Sequence, residues 1–331
     1  MIDALETPSR PAPAASPHPS PRTARPPVWR RRARLAQRRA NRLDPTLRAL
    51  MWSVTSGLLF CLLNTLMRTL SLQLSPSETQ FLRYLMGLVV MLPLVLRSGI
   101  ADYWPRNVAG QFVRGGVHTV GLCLWFWAVP FITLADTTAI GFTTPIFIMI
   151  GAAWVFNEPM RWERWLAAAI GFAGVLIVVA PKLAVGQDYH TLVMLASSPV
   201  FAASFLITKG LTRYERPAVI VVWQAITVAS FSLPLALLDW QAPSLAQWLA
   251  FGVCGMLGSA GHYCLTRSFS VADISATQSV KFLDLVWATL LGWLVFSDHP
   301  SRSTLIGGAV ICAATLWIAR REARHRIKPP R

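Results

Sequence analysis

Ala272–Phe296, ADISATQSVKFLDLVWATLLGWLVF, is the stretch whose reading decides the fold. At about 1.5 Å per helical residue it is long enough to cross a hydrocarbon core of about 30 Å. Near its middle stand Lys281 and Asp284, three residues apart and so on one face of the predicted helix. Ionisable side chains at bilayer depth cost roughly 2.5–3.5 kcal/mol each, and they face a partner, a bundle interior or a wet cavity. A span that carries two of them needs a polar place to put them.

The rest of the chain agrees with a membrane setting. Of 331 residues, 54% are hydrophobic and 14% charged, and the mean hydropathy is +0.46. Soluble domains carry about 25% charged residues. The composition therefore implies an all-α integral membrane protein in contact with the lipid bilayer. The net charge of +16 does not point to nucleic acid, because of where it lies. Residues 1–45 hold ten arginines against Asp3, Glu6 and Asp44, and residues 320–331 hold six basic side chains against Glu322, so these tails supply 12 of the 16 charges. Five cysteines (Cys61, Cys123, Cys254, Cys264 and Cys312) all fall in apolar runs without CxxC spacing. They read as small buried hydrophobes, neither a disulfide frame nor a metal site, and no cofactor is expected.

From Arg48 onward, apolar runs of about 20 residues alternate with short polar punctuation, as membrane spans do. Spans are predicted near 48–70, 78–97, 108–130, 134–156, 162–180, 190–209, 217–238, 244–267, 272–296 and 303–320. With the N-terminal tail inside, the inner loops and their flanks carry Arg97 and Arg106, Arg161 and Arg164, Arg213 and Arg216, then Arg267. The outer loops 71–77, 131–133 and 239–243 hold no Lys or Arg, and the other two hold only Lys182 and Arg302. This alternation places both termini in the cytoplasm. An internal repeat is also visible. Phe131–Pro159, FITLADTTAIGFTTPIFIMIGAAWVFNEP, is echoed by Phe269–Pro300, FSVADISATQSVKFLDLVWATLLGWLVFSDHP. Both have Ala-Asp entering a helix, a bulky exit ending in Val-Phe, and an acidic turn with Pro. Two halves of five spans each, an odd number, must be inverted relative to one another, an arrangement that places binding sites near the midplane.

The run PIFIMIGAAWVFNEPMRWERWLAAAIGFAGVLIVVAP and its weaker copy ending GWLVFSDHPSRSTLIGGAVICAATLWIARR resemble the two repeated domains of the EamA-like transporters, of the drug/metabolite transporter superfamily. The resemblance implies ten transmembrane helices as two inverted five-helix repeats, residence in a bacterial inner membrane, and transport of small metabolites such as amino acids, vitamins and nucleotide-derived compounds. The expected organisation is a disordered basic cytoplasmic tail (1–46), a first repeat (47–181), a linker (182–189), a second repeat (190–320) and a basic cytoplasmic tail (321–331). In one respect the chain departs from the pattern that the resemblance implies, since in closer relatives the ninth helix often has an acidic residue and then an arginine, in a pattern like D-x-x-R. Here Lys281 precedes Asp284.

Candidate substrate-binding residues follow from polarity inside the spans. Lys281 and Asp284 lead, and Asp284, the only carboxylate placed deep in a span, is the natural carrier of any coupling proton. Their bland reading is a self-neutralising pair, yet such a pair gains only tenths of a kcal/mol on a helix, far less than its insertion cost. Arg83 either snorkels outward or offers a cavity guanidinium to a substrate carboxylate. His118 and His262, in the third and eighth spans, are equivalent by repeat order. Each alone is more often hydrogen-bonded packing, but together they are candidates for a relay or substrate contact. Asn64 and Gln224 are orienting hydrogen-bonders. Trp125 and Trp223 lie deeper than the interfacial tryptophans, where core packing is the default and stacking on a flat substrate the alternative. Arg114 and Lys209, near inner helix ends, read as snorkelling topology charges. Pro145 is expected to kink the fourth helix as a gate. Gly252, Gly255, Gly258 and Gly261 make a ridge for close helix contact.

The competing classes are an integral membrane enzyme and a scaffold. No Walker A sequence is present, and GSAGH (Gly258–His262) lacks the glycine two residues before Ser259 that a serine-protease motif would show. A scaffold leaves Lys281 and Asp284 unexplained. A tag fused at either terminus is expected to be shielded from external protease in intact spheroplasts. External cleavage at either end would overturn the topology.

Overall fold

The computed structural model describes residues 44–132, 137, 140–141, 143–158, 162–183, 189–278, 280–297, 302–303, 305–310, 313–314 and 317. The expectations for residues 1–43, most of the linker and most of 303–331 lie outside the described residues. Within them every regular element is helical. The chain runs through α1 (Pro45–Ser71), α2 (Pro76–Ser98), α3 (Val108–Ala128), α4 (Thr144–Phe156), α5 (Trp162–Leu183), α6 (Tyr189–Leu211), α7 (Pro217–Ala236), α8 (Leu245–Val271), α9 (Ile274–Gln278) and α10 (Asp284–Phe296). Five stretches, α1, α2, α3 with its 3-10 extension, α6 and α7, are long and apolar enough to cross a membrane.

The helix starts follow local chemistry. Asp44 caps α1 by accepting from the Thr46 amide at 2.7 Å, with Pro45 in the first turn. Ser75 and Asn107 cap α2 and α3 in the same way. Ser244 and Gln247 form a reciprocal capping box at α8.

The structure corrects two of the predicted spans. The ninth is broken. α9 ends at Gln278, a 3-10 turn covers Lys281–Leu283, and α10 begins at Asp284. The break lies beside a side chain that competes with the backbone ladder: Gln278 donates through Nε2 to the Ile274 carbonyl at 3.0 Å. Carbonyls along the break are met from α1, by Ser53 Oγ on Thr277 and Cys61 Sγ on Asp284 (both 3.4 Å). The fourth span is likewise interrupted: Thr137, Ile140 and Gly141 are helical, Thr143 forms a turn, and a helix starts at Thr144 with Pro145 in its first turn. The repeat survives this correction. α4 and α10 each have 13 residues and end in Val-Phe. Each is followed by a non-glycine residue in the left-handed region, Asn157 (φ 52°) and Ser297 (φ 56°).

Helix pairing follows a two-fold pattern. The most extensive pairings join a helix of one half to a helix of the other. α1 packs on α8 as α6 packs on α3, α2 on α8 as α7 on α3, and α4 on α6 as α10 on α1, while α2 and α7 pack on each other. The halves thus share one apolar core, which includes Leu63, Met67, Leu82, Phe126, Met194, Val228 and Phe251.

The α8 glycines are placed by that packing. A Cβ on Gly255 would meet the Met86 and Gly87 backbone of α2 at 2.6–2.7 Å, and one on Gly261 would press on the Phe60 ring. Gly252 has nothing within 4 Å and so takes no part in the close contact expected of it. Gly255→Leu is therefore expected to destabilise the purified protein by about 1–3 kcal/mol, whereas Gly252→Ala leaves the melting temperature in detergent unchanged. Equal melting temperatures for the two variants would contradict this packing.

Candidate functional site

The polar residues that the sequence scattered over the spans converge on one cavity of about 220 Å³. Of the ten candidates, Asn64, Arg83, His118, Trp125, Pro145, His262, Lys281 and Asp284 all line it. Phe60, Phe201, Phe205 and Phe269 give it aromatic walls, and Ser197, Ser198 and Gln278 give it further polar edges. Both halves of the chain contribute.

On one side lies the broken ninth span. Lys281 Nζ and Asp284 Oδ2 are 3.4 Å apart, both partly buried. Asp284 occupies the first turn of α10, where the positive end of the helix dipole favours a carboxylate. Lys281 also lies 5.7 Å from the Phe60 ring centroid. The carboxylate fits only because α1 carries Gly57 against it: a Cβ there would overlap the Asp284 side chain.

Opposite stands Arg83, 8% exposed. It does not snorkel to a surface. Its guanidinium sits 4.8 Å from the Tyr84 ring centroid, and it makes no hydrogen bond or ion pair among the described residues.

Behind the cavity wall runs a buried hydrogen-bond network. Tyr84 Oη lies 3.0 Å from His118 Nε2 and 3.4 Å from His262 Nε2. The two histidine rings, from symmetry-related α3 and α8, are 5.5 Å apart between centroids. Gln224 Nε2 lies 3.4 Å from Tyr84 Oη and 3.3 Å from His262 Nε2, and Gln224 Oε1 accepts from Arg114 at 2.7 Å. Arg114 also donates to Thr208 Oγ1 and to the Ile220 carbonyl. At 1% exposure it is the largest fully buried side chain among the described residues, so its reading as a snorkelling charge is corrected. Lys209, half-buried, donates to the Phe269 and Ala272 carbonyls at the end of α8 (2.8 and 2.7 Å).

Two candidates lie off the cavity. Gln224 belongs to the network behind it. Trp223 points the other way, donating to the Tyr103 carbonyl at 2.8 Å and packing edge-on against Trp104 and Phe112. Sequence reasoning passed over Tyr84, Gly57 and Ser204. Tyr84 had a signal, a phenol beside an arginine inside a span. Gly57 and Ser204 had none, since their importance comes from partners far away in the chain.

The comparisons with known proteins fit this arrangement. The model of the EamA-like transporter family matches residues 47–180 and 190–320. The chain is 31% identical to a riboflavin transporter of Rhizobium johnstonii, over 84% of this chain and 93% of that one. It is 30% identical to a riboflavin transporter of Vibrio cholerae, over 85% and 97%. It is 26% identical to an S-adenosylmethionine uptake transporter of Rickettsia prowazekii, over 83% and 94%. A solved crystal structure with the same fold superposes with a TM-score of 0.67 at 20% identity, covering 82% of this chain and 98% of that one. With a family match across both halves and relatives that are named transporters rather than enzymes, the chain is a multi-pass membrane protein of the EamA-like transporter family, in the drug/metabolite transporter superfamily.

Proposed function

We propose that this protein moves a small polar organic metabolite across a bacterial inner membrane by alternating access. In this reading ten helices form two inverted five-helix repeats with both termini in the cytoplasm, and the substrate binds in the cavity between them. The observation that carries the proposal is the cavity itself: one chamber, walled by both halves, in which an ion pair, a free guanidinium and several aromatic rings face a common space. Intramembrane charges in a cavity between repeats are the mark of a substrate or ion pathway.

The substrate roles follow from the lining. Lys281 and Asp284 meet charged or strongly polar ends of the substrate, Arg83 an acceptor end, and Asn64 an orienting hydrogen bond. Trp125 and the phenylalanines hold its body. Asp284, the one carboxylate lining the cavity among the described residues, is the group placed to carry a coupling proton. The names of the relatives support a vitamin or nucleotide-derived compound, because riboflavin and S-adenosylmethionine both join a flat heterocycle to a polar hydroxylated part. Flat rings suit the aromatic walls. The broken spans support alternating access, since half-helices that meet at a site let one half shift without unwinding the other. The Pro145 turn and the Lys281–Leu283 turn are the two points at which such movement concentrates.

Metabolite profiling of cells and medium tests this, with an empty vector, the wild type, Lys281→Ala, Asp284→Asn and the double variant at matched amounts in the membrane. The expected result is a compound redistributed by the wild type alone. Enrichment in the medium identifies export, and depletion with rising internal levels identifies uptake. Normal redistribution in all three variants would make the pair structural, and no redistribution of any compound across a broad panel would count against transport.

A further inference from the structure

The directions of the hydrogen bonds in the network behind the cavity follow from the one end that has only donors and from which contacts are shorter. Arginine has only donors, so Gln224 must turn Oε1 toward Arg114. Its amide nitrogen then faces Tyr84 Oη and His262 Nε2. That nitrogen is itself only a donor, so Nε2 of His262 accepts, and a neutral imidazole accepting there carries its proton on Nδ1. Tyr84, receiving from Gln224, has its own proton for the nearer of two histidine nitrogens, His118 Nε2 at 3.0 Å against His262 Nε2 at 3.4 Å. His118 then passes Nδ1–H to Ser204 Oγ at 3.1 Å.

The two histidines therefore differ. Both nitrogens of His118 are used within the protein. Nδ1–H of His262 has no partner among the described residues, although its ring lines the cavity. The same holds for Arg83, whose Nε lies 3.6 Å from where a Cβ on Gly258 would stand, one helical turn before His262. Lys281 already has Asp284. Asn64 offers both a donor and an acceptor. The charged capacity left unspent in the cavity is thus positive and donating.

We propose that the cavity takes an oxyanion, a carboxylate or phosphate borne on an aromatic substrate, between the Arg83 guanidinium and His262 Nδ1–H, with Arg114 and Gln224 as positioning residues that fix the His262 tautomer. This rests on the reading of the cavity as the substrate site and narrows the substrate class. A guanidinium holds either oxyanion through two parallel hydrogen bonds. Burial strengthens them, because a water-poor site screens charge weakly.

The test uses the full-length protein purified in detergent and two matched probe pairs. One is riboflavin 5′-phosphate with riboflavin, and the other indole-3-acetate with indole-3-acetamide. Flavin quenching and ligand-induced thermal stabilisation report binding, and the two pairs separate phosphate from carboxylate. The anionic member of at least one pair is expected to bind roughly 10- to 100-fold more tightly. Arg83→Gln, which removes a side chain with no hydrogen bond or ion pair among the described residues, should erase that preference while retaining binding of the neutral member. Arg114→Leu should also weaken the preference, and Arg114→Lys, which still donates to Gln224 Oε1, should restore it. A merely structural arginine would not divide the two variants in this way. Equal binding of neutral and anionic members overturns the proposal, as do a preference that survives Arg83→Gln and an absence of binding by both anions at millimolar concentration. Anion preference in a protein that moves no metabolite would sink the transporter reading alone. Transport of a neutral compound without anion preference would sink this inference alone.

Discussion

A guanidinium buried within a bundle that spans a membrane has to be met by acceptors from other helices, and each nitrogen of Arg114 has one: Thr208 of α6, and Gln224 and the Ile220 carbonyl of α7. Each unsatisfied polar group in such surroundings costs several kcal/mol. Satisfying Arg114 fixes the approach of α3 to α6 and α7. It also fixes the orientation of one amide, and through that amide the protonation pattern of Tyr84, His118 and His262. Packing and polarity at the centre of the protein are therefore one constraint. Moving any of these helices by a fraction of a hydrogen-bond length disturbs both.

The close contact of α2 with α8 is the complementary constraint. Small residues allow it: Gly255 lies under the backbone of Met86 and Gly87, and Ser259 donates back to the Gly87 carbonyl at 3.4 Å. Close backbone approach is how helices associate where lipid offers no hydrophobic drive. It brings Arg83 and Tyr84 of α2 beside His262 of α8, so the tight seam and the polar cavity adjoin. Helix ends are tied across the halves as well. Glu158 accepts from the Ile274 and Ser275 amides and from Ser275 Oγ.

What the sequence made legible divides along the range of the interactions. Among the described residues five helices long and apolar enough to cross a membrane fall where apolar runs predicted them, because length and hydropathy are local properties. Polar residues inside the runs were also legible, and eight of the ten candidates meet in one cavity. The broken ninth span was not, because no Pro or Gly marks the break. It is made by Gln278 bonding to the backbone and by carbonyl partners on α1 that are 224 and 223 residues away. Arg114 was misread for the same reason. Its position near a helix end suggested a surface, whereas its partners Thr208 and Gln224 lie 94 and 110 residues along the chain. Trp223 shared depth with Trp125 but not direction, and direction depends on how α7 is rotated against α2 and α3.

The two-fold scaffold and the chemistry it carries do not have the same symmetry. α4 and α10 match in length, in Val-Phe exit and in left-handed cap, yet α4 begins with Thr144 and Pro145 where α10 begins with Asp284, just after Lys281. His118 and His262 stand on matched helices and share one phenol, yet Ser204 closes off the first and leaves the second open to the cavity. Matched helices let the halves exchange roles at similar energy, which alternating access asks of a scaffold. A site of the same symmetry would present a substrate with the same groups on both flanks and could not orient it. By placing the Lys281–Asp284 pair on one half and Arg83 with the closed histidine on the other, the sequence gives two halves of matched helices a shared cavity with a direction.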